Sequence, residues 1–337
     1  MKKVLYVPSP SEAVENKYTK IMYGFLGLLD DVSIFVLPKG RLNKLLFLIR
    51  SMTVDRFSYV IINWHENLMA KNGKIYFLGV LKFFVLFFVF RMSSRRIIYV
   101  RHNFYPHGMR GLSKHVASRF SDIIEAWSTI KVCHSPHLVE KGYSYVPHPL
   151  YPVSESDCRF GPEHQQDYFV VFGSIDRYKK IEYILEVWPP NICLVIAGVS
   201  KDDSYLSFLK ELAKDKDVKF YSEYLPETVA QGLLKKSRGL ILPHQSDEMI
   251  VSGSFFYAAS VGVSTFALDS PFLSWMQNVE HFSGIKVFDN EEGLVKYLGQ
   301  LTGGGRTSEG SRIRFEANKM FGKSKVLESW NKLLIIR

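Results

Sequence analysis

The chain has 337 residues, 47% hydrophobic, 23% charged and 14% aromatic, a balance that excludes disordered, collagen-like and disulfide-scaffold proteins and favours two domains with separate cores. Its net charge of +10 sits in the first half: residues 1–150 carry 21 Lys/Arg against 9 Asp/Glu, while residues 151–337 carry 22 against 24. The three cysteines, Cys133, Cys158 and Cys193, lack C-x-x-C spacing, which excludes a cysteine zinc site and points to a reducing compartment.

Lys3–Pro8 and Val32–Leu37 read as buried strands, separated by a helix-length segment. The first of these apolar runs is ended by Pro8, too soon for the core of a signal peptide, so a cytosolic protein is expected. Tyr59–Asn63 and Ile97–Val100 are a third and a fourth strand. Between them lies Ile75–Phe90, sixteen residues with Lys82 inside, shorter than the roughly 20 needed to span a bilayer. Its apolar side chains circle the whole helix. Two readings stand: a core helix, or a surface helix that dips aromatics into a bilayer while Arg91, Arg95 and Arg96 meet lipid phosphate.

The proline-rich stretch Tyr145–Pro162 reads as a linker. Beyond it the pattern repeats. Tyr168–Phe172 runs into Gly173, Ile192–Ala197 into Gly198 and Gly239–Leu242 into Pro243, with later strands at Val263–Ala267 and Ile285–Phe288. Strands alternating with helix-length segments indicate parallel sheets built from βαβ units. The expectation is two doubly wound α/β domains, 1–155 and 156–310, followed by a helical segment, 311–337, that packs on either of them.

Ligands of open parallel sheets bind outside the carboxyl ends of the strands, so the residues that follow each strand carry most information. Asn63-Trp64-His65-Glu66-Asn67 follows the third strand, and Arg101-His102-Asn103-Phe104-Tyr105-Pro106-His107-Gly108 the fourth. Imidazoles and a carboxylate at such ends suit the binding or deprotonation of a sugar hydroxyl. Neither H-x-H nor H-x-x-x-H occurs, so no metal is expected. In the second half, Gly173-Ser174-Ile175-Asp176-Arg177-Tyr178-Lys179-Lys180 places cations past a strand end. His244 opens a polar stretch, which includes Glu248 and ends at Ser252-Gly253-Ser254 before an apolar helix. Small residues that open a helix present N–H groups, hydroxyls and the positive helix end to phosphate.

The pieces GSIDRYKK, ILPHQSDE and SGSFFYAASVGVSTFA, preceded by RHNFYPHG and CHSPHLVEKGYSYVPHPLY, resemble in their order the "group 1" glycosyltransferases of capsule, O-antigen and exopolysaccharide synthesis. The resemblance spans roughly residues 97–267. It implies the GT-B fold, two Rossmann-like domains facing a cleft, with an acceptor-binding first domain and a nucleotide-sugar-binding second. It also implies that Gly173, Arg177, Lys179, Ser252, Gly253 and Ser254 hold the donor diphosphate. His244, Glu248 and Tyr257 fall near the nucleotide or sugar, and His102, then His107, near the reacting centre.

Two positions depart from the family's pattern. Ser174 stands where an arginine is usual, and the paired glutamates are replaced by Met249, beside Glu248, and by Tyr257, so the usual ribose-binding carboxylate is missing. For an inverting enzyme, Glu66 is the candidate base. The implied activity is metal-independent hexosyl transfer from a UDP- or GDP-sugar to a lipid-linked or polysaccharide acceptor. It would take place on the anionic inner face of a cell membrane, without nucleic acid. The alternative is a catalytically degenerate nucleotide-sugar or membrane-binding relative. A nicotinamide oxidoreductase is disfavoured, because VPSPSE stands where G-x-G-x-x-G would follow the first strand.

Overall fold

The computed structural model describes residues 1–12, 16–71, 73–106, 108–154, 167–244, 250–302 and 309–335. The chain divides into two compact units, Met1–Pro149 with Asp247–Val251 and Lys323–Arg337, and Leu150–Ser246 with Ser252–Gly322.

In the first unit the elements run β1 (Lys2–Val7), α1 (Lys17–Leu26), β2 (Val32–Val36), α2 (Arg41–Thr53), β3 (Phe57–Asn63), a small hairpin of β4 (Ala70–Lys71) and β5 (Lys74–Ile75), α3 (Phe77–Ser93), β6 (Ser94–Val100), α4 (Gly111–Trp127), β7 (Ile130–Cys133) and β8 (Ser144–Tyr145). Six of these strands form one parallel sheet, ordered β2-β1-β3-β6-β7-β8. Alternate residues of each strand serve opposite faces. Val4, Tyr6, Ile61, Ile98 and Val100 pack under α1, whereas Leu5, Val60, Ile62, Ile97 and Tyr99 pack under α2, α3 and α4.

The second unit runs β9 (Tyr168–Phe172), α5 (Ile181–Val187), β10 (Cys193–Ala197), α6 (Asp203–Leu212), β11 (Val218–Tyr221), α7 (Glu227–Lys236), β12 (Gly239–Leu242), α8 (Gly253–Val261), β13 (Thr265–Leu268), α9 (Pro271–Asn278), β14 (Ile285–Phe288), α10 (Glu291–Leu301) and α11 (Gly310–Phe321). Its sheet is also wholly parallel, ordered β11-β10-β9-β12-β13-β14. The strand order reverses between β9 and β12, and in the first sheet between β1 and β3. Such switch points open a crevice at the carboxyl ends of the strands. Helix α8 is buried from Phe255 to Val261, with Phe255 and Phe256 against the rings of Phe272 and Phe321.

All nine segments read as strands pair within these two sheets, with ends shifted by a few residues. Strands β7, β8 and β11 complete them. The segment 311–337 does not act as one piece: α11 lies on α8 in the second unit, while α12 (Lys323–Ile335) returns to the first. There Val326, Trp330 and Leu334 seal the α1 face of the sheet, Trp330 Nε1 reaching Met22 Sδ at 2.9 Å. Among the described residues no helix is long and apolar enough to cross a membrane.

Candidate functional site

At the switch point of the second sheet, β9 ends in Gly173, whose φ of +108° suits glycine. A Cβ there would lie 2.6 Å from Lys179 Nζ and 3.0 Å from Ser254 Oγ, so the missing side chain is what admits both groups. Gly198, at the end of β10, has φ +145°, and a Cβ on it would strike the Gly173 carbonyl. The two turns are thus shaped for each other.

Lys179 closes a short 3-10 turn, Arg177–Lys179, and its side chain runs back to the strand end. Its Nζ donates to the Phe172 carbonyl at 3.1 Å, and Ser254 Oγ donates to the same oxygen at 2.9 Å. Burial lowers the Lys179 ammonium from 10.5 to about 8, with Asp176 offsetting part of the loss. A cation held with so little solvent is a strong partner for an incoming anion. Beside it α8 begins. Its N-cap Ser252 is buried and extended, and its side chain caps no N–H of the first turn. Gly173, Lys179, Ser252, Gly253 and Ser254 therefore converge. Arg177 does not join them: its Nε pairs with Asp202 Oδ2 at 2.8 Å, its Nη2 donates to Ser204 at 3.2 Å, and its guanidinium lies over the Tyr205 ring at the start of α6.

Around this group, Tyr178 meets the buried His244 edge-on at 5.9 Å. Tyr257, next along α8, stacks on Phe172 with ring centroids 5.0 Å apart and lies 5.3 Å from Tyr151. Its hydroxyl donates to Glu227 Oε1 at 2.6 Å. Glu227 opens α7, and Gln231, one turn later, donates to the same oxygen at 3.1 Å. This carboxylate, thirty positions from Tyr257, left no signal in the local motifs.

In the first unit the expected residues fall on two sides of the sheet. Trp64, just past β3, has φ +48°, an uncommon conformation for a bulky residue. The turn it makes sends Trp64 to the α1 side and His65 and Glu66 to the α3 side. Glu66 has no exposed surface, and its Oε2 accepts from Tyr99 at 3.0 Å. His65 is bonded to the Phe83 carbonyl at 2.8 Å, and burial pushes its imidazole down to about 4. A base for an incoming hydroxyl must be reachable, and Glu66 is enclosed here.

His102 lies on the other side, stacked on Trp64 at 3.8 Å and 13° and edge-on to Tyr18 at 4.8 Å. Asn63 Nδ2 donates to the Val7 carbonyl at 3.0 Å, which turns Asn63 Oδ1 toward His102 Nε2 at 3.1 Å. The proton of this neutral ring is therefore on Nε2, and Nδ1 carries the lone pair. Two more imidazoles adjoin. His134 Nδ1 donates to the Val146 carbonyl at 2.7 Å and its Nε2 accepts from Tyr18 at 2.8 Å, while His148 Nδ1 donates to the Pro149 carbonyl at 2.8 Å. Burial lowers all three, His134 to about 4, and for His102 and His148 the neighbouring rings add to the effect. The result is a neutral cluster able to accept hydrogen bonds from hydroxyls. Among the described residues no three His, Cys, Asp or Glu side chains are grouped to hold a metal ion. His107 and Glu248 lie outside the described residues. Arg91 and Arg95 are exposed and Arg96 is half-buried.

No protein-family model matches the chain, and no curated protein matches it. Solved structures do. The chain is similar to Anabaena HepE, solved with UDP and glucose, at 14% identity over 99% of both chains and a TM-score of 0.65. It is also similar to the sucrose-phosphate synthase of Thermosynechococcus elongatus, at 12% identity over 99% of this chain and 98% of that one, with a TM-score of 0.67. A Rickettsia africae glycosyltransferase gives 11% identity, 99% and 97% coverage and a TM-score of 0.64. At such identities the likeness is one of architecture, and that architecture, two parallel six-stranded sheets with flanking helices, is the GT-B fold.

Proposed function

We propose that this protein is a glycosyltransferase that takes a sugar from a nucleoside diphosphate donor, UDP- or GDP-linked. The observation that carries the reading is the meeting of Lys179 Nζ, Ser254 Oγ and the first turn of α8 around the Gly173 turn. A desolvated cation, a hydroxyl and a helix amino terminus are suited to a departing diphosphate, and stabilise its growing charge without a metal. Similarity to HepE, which was solved with UDP-glucose, supports the same class of donor. Glu227, presented through Tyr257, stands in for the ribose carboxylate that α8 lacks.

The first domain takes the acceptor in this reading. His102 Nδ1, unprotonated and lowered in basicity, suits hydrogen bonding to a sugar hydroxyl better than the enclosed Glu66 suits deprotonating one. The acceptor is a lipid-linked saccharide or growing polysaccharide of the bacterial cell surface, met at the cytoplasmic face of the membrane. Support for this comes from the excess of positive charge in residues 1–150.

The test is a thermal-shift and calorimetric screen of UDP and GDP, followed by product analysis with the matching sugar donor. A ligand at 100 times its Kd stabilises by about 2.7 kcal/mol. Wild type should respond to one of the two nucleotides and Lys179→Ala at least about tenfold less well. Equal affinity in both proteins would remove Lys179 from the site. Binding without turnover across sugar donors and acceptors would favour the degenerate alternative.

A further inference from the structure

Helix α2 turns a leucine stripe outward. Leu42, Leu45, Leu46 and Ile49 recur at the spacing of one helix face, and all four are exposed, Leu42 by 66%. Its opposite side carries the buried Leu48. Helix α3 repeats the arrangement. Phe83, Phe87 and Phe90 are buried, while Leu78, Leu81, Val85, Phe88 and Met92 form an exposed row with a spacing of alternating three and four residues. The inner sides of both helices enter the same core cluster, and the two helices pack beside each other. Their bare rows therefore both face away from that core. Isolated exposed leucines are ordinary on protein surfaces, but two adjoining rows are not.

The stretches that make these rows carry charge of one sign, although Lys44 of α2 is paired with Glu12 and Asp55 follows the helix. Residues 39–54 contain Lys39, Arg41, Lys44 and Arg50, and residues 74–96 contain Lys74, Lys82, Arg91, Arg95 and Arg96, with no Asp or Glu in either stretch. At the edge of the α3 row stands Trp127 of α4, 49% exposed, its ring 5.6 Å from that of Phe88. Tryptophan, leucine and phenylalanine flanked by an excess of Lys and Arg match the boundary between acyl chains and anionic headgroups.

We propose that the paired outer faces of α2 and α3 form an insertion surface for an anionic lipid bilayer. The leucine and phenylalanine rows enter the acyl boundary while the flanking cations meet lipid phosphates. This deepens the membrane part of the proposed function and rests on it. It adds an apolar component on α2 to the arginines that follow α3.

Vesicle co-sedimentation tests it. The protein should partition onto phosphatidylglycerol vesicles and much less onto phosphatidylcholine ones. Tryptophan emission should shift to the blue on binding, and Trp127→Phe should abolish that shift. The triple variant Leu42→Ser, Leu45→Ser, Leu46→Ser changes only exposed positions. It should keep its circular dichroism spectrum and its thermal response to nucleotide, yet lose about tenfold or more in partitioning. The double variant Leu81→Ser, Phe88→Ser should behave alike, as a check through the other helix. The proposal is overturned if wild type stays off phosphatidylglycerol vesicles, binds both lipids equally, or is matched by both variants. A lipid-free dimer that the triple variant converts to monomer would also overturn it, assigning the face to a second copy. Nucleotide binding is read separately, so failure here leaves the donor site standing.

Discussion

The Tyr257 hydroxyl and the Glu227 carboxylate are hydrogen-bonded at 2.6 Å, tying the first turn of α7 to α8 beside the end of β9. Gln231 Nε2 bonds the same carboxylate oxygen and the Pro152 carbonyl at 2.8 Å, so the acid is oriented from two sides. If this acid serves the donor, Glu227→Gln should cost a charge-assisted hydrogen bond of about 1.5–3 kcal/mol in nucleotide affinity. Tyr257→Phe, which removes only the orienting contact, should cost about 0.5–1.5 kcal/mol. Isothermal calorimetry with the nucleoside diphosphate that binds wild type decides it. Unchanged affinity in Glu227→Gln would leave the pair a structural tie.

Lys179 links the proposed donor site to stability through its proton. The unfolded side chain keeps its charge up to about 10.5, whereas the folded one releases it near 8. Between these values the unfolded state binds more protons, so the nucleotide-free protein gains stability as pH rises. Holding the charge at neutral pH costs on the order of 3 kcal/mol. Lys179→Met should therefore raise nucleotide-free stability at pH 7, with an advantage that shrinks toward pH 10, while it loses nucleotide binding. Chemical denaturation of both proteins at several pH values reads this out.

The histidine cluster acts in the same direction at lower pH. Imidazoles lowered from 6.5, His134 to about 4, leave the unfolded state with more protons bound below pH 6.5. Stability is then fully present above that value and falls as the pH drops toward 4. At pH 5.5 His134 withdraws about 1 kcal/mol relative to pH 7.5, and His102 and His148 act in the same direction. His134→Gln should flatten this slope even if it lowers stability at pH 7.5. A slope as steep as that of wild type would show that the cluster is not its origin.

Transfer should persist in excess EDTA, since a lysine, a hydroxyl and a helix end already meet the diphosphate in the proposed site. Measuring nucleotide release with and without EDTA, then with added magnesium, is sufficient. Complete loss restored by magnesium would assign the charge stabilisation to a metal.

Strands such as Tyr168–Phe172 and Gly239–Leu242 were legible because a parallel strand covered on both faces is an unbroken apolar run ended by Gly or Pro. Val218–Tyr221 at the sheet edge is only half-buried and interrupted by Lys219, and Ile130–Cys133 contains Lys131, so neither stands out as a run. The meeting of Lys179 and Ser254 at the Gly173 turn was legible for a similar reason: these residues fall within short segments behind strand ends. Which side of a sheet a residue takes beyond the strand was not. The left-handed turn at Trp64 parts Glu66 from His102, and nothing in N-W-H-E-N announces that conformation. Glu227 reaches Tyr257 only through the packing of α7 on α8, a long-range fact.

Helix α12 gives the order of synthesis a physical meaning. The sheet of the first domain is made early, but Val326, Trp330 and Leu334, which cover its α1 face, leave the ribosome after every element of the second domain, and the Tyr59 hydroxyl then meets the Leu334 carbonyl at 3.1 Å. The second domain, whose elements end at Phe321, has all its parts available sooner. Domains usually complete themselves from the amino terminus onward during translation. Here the later domain can close first, while the earlier one carries an open apolar face until α12 emerges. A stop codon before residue 323 should leave a soluble, folded second domain attached to an aggregation-prone first.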